Sequence, residues 1–160
     1  SKYADHLPLY RQSQIYAREG IDLDRSTLAA WVGKSAFELT PVHDALMADL
    51  KRSTKLFMDE TPAPVLAPGR KRTKTGYFWA LARDDRPWGG EDPPGVAFTY
   101  APGRSGQYAD NILKDFSGTL QVDGYAGYNR LLKRPAQDVT LAYCWAHARR
   151  KLYELTHNNV

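Results

Sequence analysis

The first 54 residues follow a helical pattern of apolar and polar positions. Three helices are expected: one from Pro8 to Gly20, one from Asp24 or Ser26 to just before Gly33, and one that opens at Thr40-Pro41. Their apolar positions recur at the spacing that gives a helix one buried face. These positions are Leu9, Tyr10, Ile15, Tyr16, Leu28, Ala29, Trp31, Val32, Leu46, Met47 and Leu50. Two short helices joined by a glycine-containing turn resemble a helix-turn-helix, and a small helical packing unit is an equally good interpretation.

From Lys55 onward the pattern becomes that of β-strands. Five short runs rich in β-branched and aromatic residues are separated by turn residues. The runs are residues 55–60, 76–82, 96–100, 119–122 and 139–145. Pro62 and Pro64 should prevent the first run from continuing as a central strand, because proline cannot donate to the ladder. A helix capped by Ser105 and closed by Gly118 is expected before the fourth strand, and another begins near Ala146.

The order of these elements predicts the fold class. Three consecutive strands can form an antiparallel meander, and later strands can add in parallel through crossover connections. Three strands, a helix, a strand, a connection, a strand and a helix is the order of the RNase H-like fold. We therefore expect an α/β protein with an RNase H-like, retroviral-integrase-like mixed sheet, preceded by a small helical segment. The expected domains are a helical segment over residues 1–54 and an RNase H-like domain over residues 55–160.

The composition limits the class of protein. The chain has 160 residues, of which 42% are hydrophobic and 25% charged, values typical of a globular protein. No apolar run approaches the roughly 20 residues that cross a bilayer, and the start lacks the pattern of a secretory signal. The single cysteine, Cys144, rules out an internal disulfide and suits a reducing compartment. We expect a cytoplasmic protein without a membrane partner.

The distribution of charge points to a polyanionic partner. Residues 1–54 hold seven Lys or Arg and seven Asp or Glu, whereas residues 55–160 hold 15 basic and 11 acidic residues. The net charge of +4 therefore lies entirely in the second part of the chain. An excess of basic residues beside strand-end carboxylates is typical of enzymes that act on a phosphate backbone.

Two aspartates carry the candidate chemistry. Asp59 stands at the end of the first predicted strand and Asp123 at the end of the fourth. These strands are neighbours in the predicted topology, so both carboxylates should project from one sheet edge. Hard oxygen ligands of this kind hold the metal ions of phosphodiester chemistry. The alternative is that each is an ordinary turn aspartate. Glu60 follows Asp59 but should point to the opposite face of the strand.

The block from Cys144 to Lys151 provides candidate DNA contacts. Arg149, Arg150 and Lys151 lie in the first turns of the last predicted helix and could meet phosphates, or form a solvated helix face. His147 could contact DNA, or satisfy the junction between strand and helix. Cys144 and His147 lack a second Cys/His pair, so a zinc site is not expected.

Tyr125 and Tyr128 follow Asp123. They could stack on bases, but packing within the turn is the better interpretation for aromatic residues beside glycines.

A set of short motifs, in order and at consistent spacing, resembles the insertion sequence 66 family of bacterial transposases over nearly the whole chain. The motifs are Leu7–Gln12, Thr27–Val32, Asp59–Pro62, Lys74–Tyr77, Arg83–Trp88, Arg104–Gly106, Asp123–Asn129 and Cys144–Lys151. The resemblance implies DNA transposition through an Asp-Asp-Glu triad with Mg²⁺ or Mn²⁺. Asp59 and Asp123 match the first two acids. The implied partners are transposon ends, target DNA and further copies of the protein.

The third acid of the family lies in an Asn-Asn-Leu-Ala-Glu-Arg-like stretch well downstream of the Cys144 block. Residues 152–160 do not match that stretch, and Glu154 follows the block too closely. We therefore expect the catalytic domain to be incomplete at its C-terminus and inactive alone. Two alternatives stay open: a catalytically inactive DNA-binding or regulatory remnant, and another RNase H-like nuclease.

Overall fold

A computed structural model describes residues 1–67, 69, 72–135 and 138–157. The chain opens with α1 (Leu9–Arg18), α2 (Arg25–Glu38) and α3 (Thr40–Leu50). The carboxylate of Asp24 caps α2 by accepting the N–H groups of Ser26 and Thr27. Hydrogen bonds from the Ser26 hydroxyl and from these N–H groups lower the pKa of Asp24 to about 2.

The expected end of the second helix at Gly33 is wrong. α2 runs through Gly33 to Glu38, and the space around the Gly33 Cα is open. A glycine inside a helix costs only about 1 kcal/mol relative to alanine, which is too little to stop a helix that further residues continue. The first helix does end before Gly20, which has a left-handed φ of 79°, and the third begins at Thr40 as expected.

The rest of the fold is built on a five-stranded sheet in the order β3-β2-β1-β4-β5. The strands are β1 (Lys55–Val65), β2 (Lys74–Arg83), β3 (Gly95–Ala101), β4 (Gly118–Val122) and β5 (Val139–Tyr143). β1, β2 and β3 form an antiparallel meander, whereas β4 joins β1 and β5 joins β4 in parallel. The expected mixed α/β architecture is confirmed, with β1 and β4 as neighbours.

β1 continues past Pro62 and Pro64, which were expected to prevent it from continuing as a central strand. Pro62 lies opposite Tyr77 and Pro64 opposite Thr75, within the antiparallel ladder to β2. On its other side β1 pairs with β4 only from Lys55 to Phe57. The prolines therefore lie where β1 has become an edge strand in the described structure, which is where a strand tolerates them.

Helical segments cover one face of the sheet. They are α4 (Gly106–Ile112) and a 3₁₀ segment, Ala126–Lys133, where only a connection had been expected. α4 is shorter than predicted, because the chain turns through a left-handed residue, Asp115, at φ 67°. The core joins both segments to the sheet. It includes Leu56, Met58, Trp79, Leu81, Leu113, Phe116, Leu120, Val122, Tyr128 and Leu131.

The last strand and helix meet earlier than predicted. β5 ends at Tyr143 and α5 (Trp145–His157) begins two residues later. The chain divides into two compact units, Ser1–Asp44 and Ala45–Val160, with the division inside α3. None of the helices in the described parts of the chain is long and apolar enough to cross a membrane.

Candidate active site

Asp59 and Asp123 stand level with each other on neighbouring strands. β1 and β4 pair in parallel with Phe57 opposite Gln121, and each aspartate lies two residues beyond its member of that pair. Because side chains alternate along a strand, Asp59 projects from the same face of the sheet as Phe57, and Asp123 directly follows the end of β4. Both line one cleft of about 190 Å³. The expected meeting of these two acids therefore occurs, although Asp59 lies within β1 and not at its end.

The backbone engages one oxygen of each carboxylate. The Glu60 N–H donates to Asp59 Oδ1 at 2.9 Å, and the Tyr125 N–H donates to Asp123 Oδ1 at 2.8 Å. Asp59 is an exposed residue, and the Asp123 side chain is 21% exposed. Two carboxylates on one cleft form a hard oxygen donor set of the kind that Mg²⁺ prefers. Within the described ranges, no group of three His, Cys, Asp or Glu side chains is placed to hold a metal ion.

Glu60 points to the opposite face from Asp59, as expected, and its side chain is fully buried. The Tyr128 hydroxyl donates to Oε2 at 2.6 Å, and Arg104 Nε donates to Oε1 at 2.5 Å. Burial and the hydrogen bond to Glu60 raise the pKa of Tyr128 far above its ordinary value. The bond to Glu60 raises the pKa of Arg104. The buried carboxylate of Glu60 thus accepts hydrogen bonds from both Tyr128 and Arg104.

Arg104 links this buried carboxylate to the cleft. Its Nη2 lies 3.6 Å from Asp123 Oδ2. Its guanidinium lies over the ring of Tyr125 at 4.1 Å, and the Tyr125 hydroxyl donates to the Arg104 carbonyl at 2.7 Å. Sequence reasoning missed this residue as a site component. Its only signal was its place in the motif Arg104–Gly106, since the contact with Glu60 spans 44 residues.

His147 and Cys144 complete the lining of the same cleft. The Cys144 N–H donates to the Val122 carbonyl at 2.9 Å, which ties the start of α5 to the end of β4. Hydrogen bonding from His147, chiefly from its backbone N–H, lowers the pKa of the Cys144 thiol. The Nδ1 atom of His147 is buried without a partner in the described part of the chain.

The structure does not bring the other three DNA-contact candidates into the cleft. Arg149, Arg150 and Lys151 are exposed residues of α5. Tyr128 is fully buried and packs edge-on against Trp79, with ring centroids 6.0 Å apart. It is therefore unable to stack on a base.

Comparison with known proteins relates this site to a family. The family model described as "Transposase IS66 family" matches residues 1–160. The uncharacterized proteins y4qI and y4jD of Sinorhizobium fredii (strain NBRC 101917 / NGR234) are each 48% identical to the chain, over 160 and 159 residues. The uncharacterized protein y4hP of the same strain is 39% identical over 156 residues. These matches cover 97%, 97% and 96% of this chain but 30%, 31% and 28% of the three relatives. The chain thus spans about 30% of the length of these curated relatives.

Proposed function

Because this chain belongs to the IS66 family of transposases, we propose that it forms part of a domain that cuts and joins DNA, with Asp59 and Asp123 as catalytic acids. The observation that carries the proposal is the parallel register of β1 and β4, which sets the two carboxylates level on one cleft. The strand order β3-β2-β1-β4-β5 supports an RNase H-like catalytic domain.

Asp59 and Asp123 are the proposed ligands of a divalent cation, Mg²⁺ or Mn²⁺. When bound, such a cation activates the attacking oxygen and neutralises charge on the phosphate. We propose that a glutamate from the complete protein adds the third carboxylate, since the described residues include no group of three His, Cys, Asp or Glu side chains that could hold a metal ion.

In the complete protein, water would attack the phosphorus at a transposon end and leave a 3′-hydroxyl. That hydroxyl would then attack a phosphodiester of target DNA, forming a new phosphodiester and releasing the target strand's own 3′-hydroxyl. His147 lines the cleft and would border the DNA there. Arg149, Arg150 and Lys151 would contact phosphates outside it, from the exposed surface of α5. Assembly of several copies on the two transposon ends belongs to the same proposal.

Metal binding tests the proposal without requiring turnover. The 160-residue chain is expected to bind Mn²⁺, measured by loss of the free-ion EPR signal. Asp59→Asn and Asp123→Asn should each weaken that binding roughly tenfold or more, because each removes a charged oxygen ligand. Asp92→Asn, a change of an exposed carboxylate elsewhere in the chain, serves as the matched control.

One result would contradict the assignment of the two acids, and another would contradict the need for a third acid. Mn²⁺ affinity that is the same in both aspartate variants as in the unchanged chain would remove Asp59 and Asp123 as ligands. The chain alone is also expected to cleave DNA poorly. Robust Mg²⁺-dependent cleavage that disappears on Asp59→Ala or Asp123→Ala would show a compact active site that needs no further acid.

A non-catalytic DNA-binding or regulatory module is the second candidate. It is favoured by the finding that no three-residue metal group lies in the described ranges, together with the net charge of +4. DNA binding that weakens steeply with salt, in a chain without Mn²⁺ affinity, would select this candidate.

A further inference from the structure

We propose that Arg104 binds a DNA phosphate beside Asp59 and Asp123, with Glu60 holding the guanidinium in place. The inference rests on the proposed function, which brings DNA to this cleft. It adds a substrate-binding residue to which the sequence analysis had assigned no role.

The first argument is that Glu60 and Tyr125 fix the position of Arg104. Glu60 is fully buried, and its two oxygens are engaged by Arg104 Nε at 2.5 Å and by the Tyr128 hydroxyl at 2.6 Å. A buried carboxylate that loses its partner is strongly destabilising, so Glu60 keeps Nε in place. The ring of Tyr125 supports the guanidinium, and its hydroxyl holds the Arg104 carbonyl.

The second argument is that the outer donors of Arg104 remain available. A guanidinium has five N–H donors, and the bond to Glu60 uses only the one on Nε. The 3.6 Å between Nη2 and Asp123 Oδ2 is longer than a hydrogen bond, and 43% of the side chain is exposed. These Nη groups form the planar fork that recognises phosphate by two parallel hydrogen bonds.

Arg86 differs from Arg104 in that a carboxylate occupies an outer donor of its guanidinium. Its side chain is also exposed, at 68%, and is also held by a carboxylate. However, both Nε and Nη2 of Arg86 donate to Asp84, at 2.8 and 2.7 Å, so its fork is already occupied. Arg86 follows the end of β2 that pairs with the start of β3. It therefore provides a matched arginine whose loss should leave the proposed phosphate contact intact.

The distance to Asp123 determines where the phosphate would lie. A phosphate bound by the Nη groups would sit next to Asp123, since Nη2 is 3.6 Å from an Asp123 oxygen, and Asp123 lines the cleft together with Asp59. Negative charge on Asp59 and Asp123 would repel that phosphate, and the charge of Arg104 would offset part of this repulsion. Arg104 would thus help to hold the reacting strand against the acids.

The test is the salt dependence of DNA binding by the 160-residue chain, measured by fluorescence anisotropy with a labelled duplex at fixed Mg²⁺. Arg104→Gln should flatten the slope of log K against log salt concentration by about 0.9, the value for one phosphate contact. Arg86→Gln should leave the slope unchanged. An unchanged slope in Arg104→Gln, with Mn²⁺ binding intact, would overturn the proposal.

Two further variants separate phosphate binding from a structural role. Glu60→Gln should weaken DNA binding about threefold or more in the unchanged chain and have no effect in the Arg104→Gln background, because its effect runs through Arg104. Equal weakening in both backgrounds would show a structural role alone.

If Arg104→Gln fails to fold, the Arg104→Lys variant tests the phosphate contact in its place. It should keep the slope but bind DNA several-fold more weakly, since one ammonium group is a poor match for both Glu60 and a phosphate. Wild-type affinity in Arg104→Lys would overturn the proposal.

These measurements fail independently of those for the proposed function. If Asp59→Asn and Asp123→Asn leave Mn²⁺ binding unchanged, the two aspartates are rejected as metal ligands. The salt dependence of DNA binding in the Arg104→Gln variant tests the phosphate contact of Arg104 alone.

Discussion

Glu60 carries a charged group into the interior of the protein, where water does not solvate it. Its side chain is fully buried, and such a carboxylate is tolerated only when its oxygens are hydrogen-bonded. The Tyr128 hydroxyl supplies one of these bonds at 2.6 Å. A tyrosine hydroxyl is protonated at neutral pH and can donate, and burial together with the bond to Glu60 raises the pKa of Tyr128 further.

Tyr128→Phe should lower the free energy of unfolding by about 2 kcal/mol, because it removes a buried hydrogen bond to a charged group while leaving the ring in place. Urea unfolding followed by circular dichroism measures the change. Tyr143→Phe is the control, since this tyrosine is 59% exposed and surface changes usually stay within about 0.5 kcal/mol. Equal effects of the two substitutions would show that the Glu60 contact does not stabilise the protein.

At the scale of elements, β1 has two different halves, and Asp59 lies just after the point where they meet. From Lys55 to Phe57 the strand pairs with β4, whereas from Met58 onward it pairs with β2 alone in the described structure. β4 ends at Val122. The cleft that holds the acid pair opens where β1 loses its parallel neighbour.

The prolines of the second half protect this open edge. Pro62 and Pro64 are two positions apart, so their nitrogens point to the same side of the strand. A proline nitrogen cannot donate, so the ladder to β2 requires that side to be the open one. An edge with all its N–H groups would invite pairing with another chain.

The double variant Pro62→Thr, Pro64→Thr should therefore self-associate more than the unchanged chain. Sedimentation velocity over a range of protein concentrations measures this. Ala63→Thr adds the same side chain to the residue whose N–H points to β2, and it should behave like the unchanged chain. Sedimentation of the double variant identical to that of Ala63→Thr would refute the protective role of the prolines.

At the scale of the whole molecule, the hydrophobic core is confined to one compact unit. All residues of the core cluster lie between Met47 and Val139, inside the unit Ala45–Val160. The separate domain boundary predicted after residue 54 stays a prediction. Because Met47 and Leu50 of α3 belong to this core, a boundary drawn after α3 would remove part of it.

Residues 45–160 should consequently fold without the preceding segment. We expect cooperative urea unfolding and a near-ultraviolet circular dichroism signal from the buried Trp79, which is 1% exposed. The piece 55–160, which lacks Met47 and Leu50, should be less stable by several kcal/mol, since deletion of buried large apolar side chains costs about 2–5 kcal/mol each. Equal stability of the two pieces would show that α3 adds nothing to the core.

Much of the fold and three residues that line the cleft, Asp59, Asp123 and His147, could be predicted from the sequence. Alternation of apolar and polar residues, turn residues and caps are local signals, so they located all five strands and most helices. Asp59 and Asp123 stood out because each follows an apolar strand-like run. Gly33 misled the prediction, since a glycine weakens a helix only slightly and the residues beyond it decide whether the helix continues.

The sequence by itself determined the strand runs, the two acids and the family resemblance, because each of these depends on residues close together in the chain. Only the tertiary structure decided what surrounds the acids. The contact of Arg104 with Glu60 joins residues 44 positions apart, and the burial of Tyr128 depends on packing against Trp79. The course of β1 past Pro62 depends on where β4 ends. Such features follow from which strands become neighbours and where an edge opens, and no short stretch of sequence encodes them.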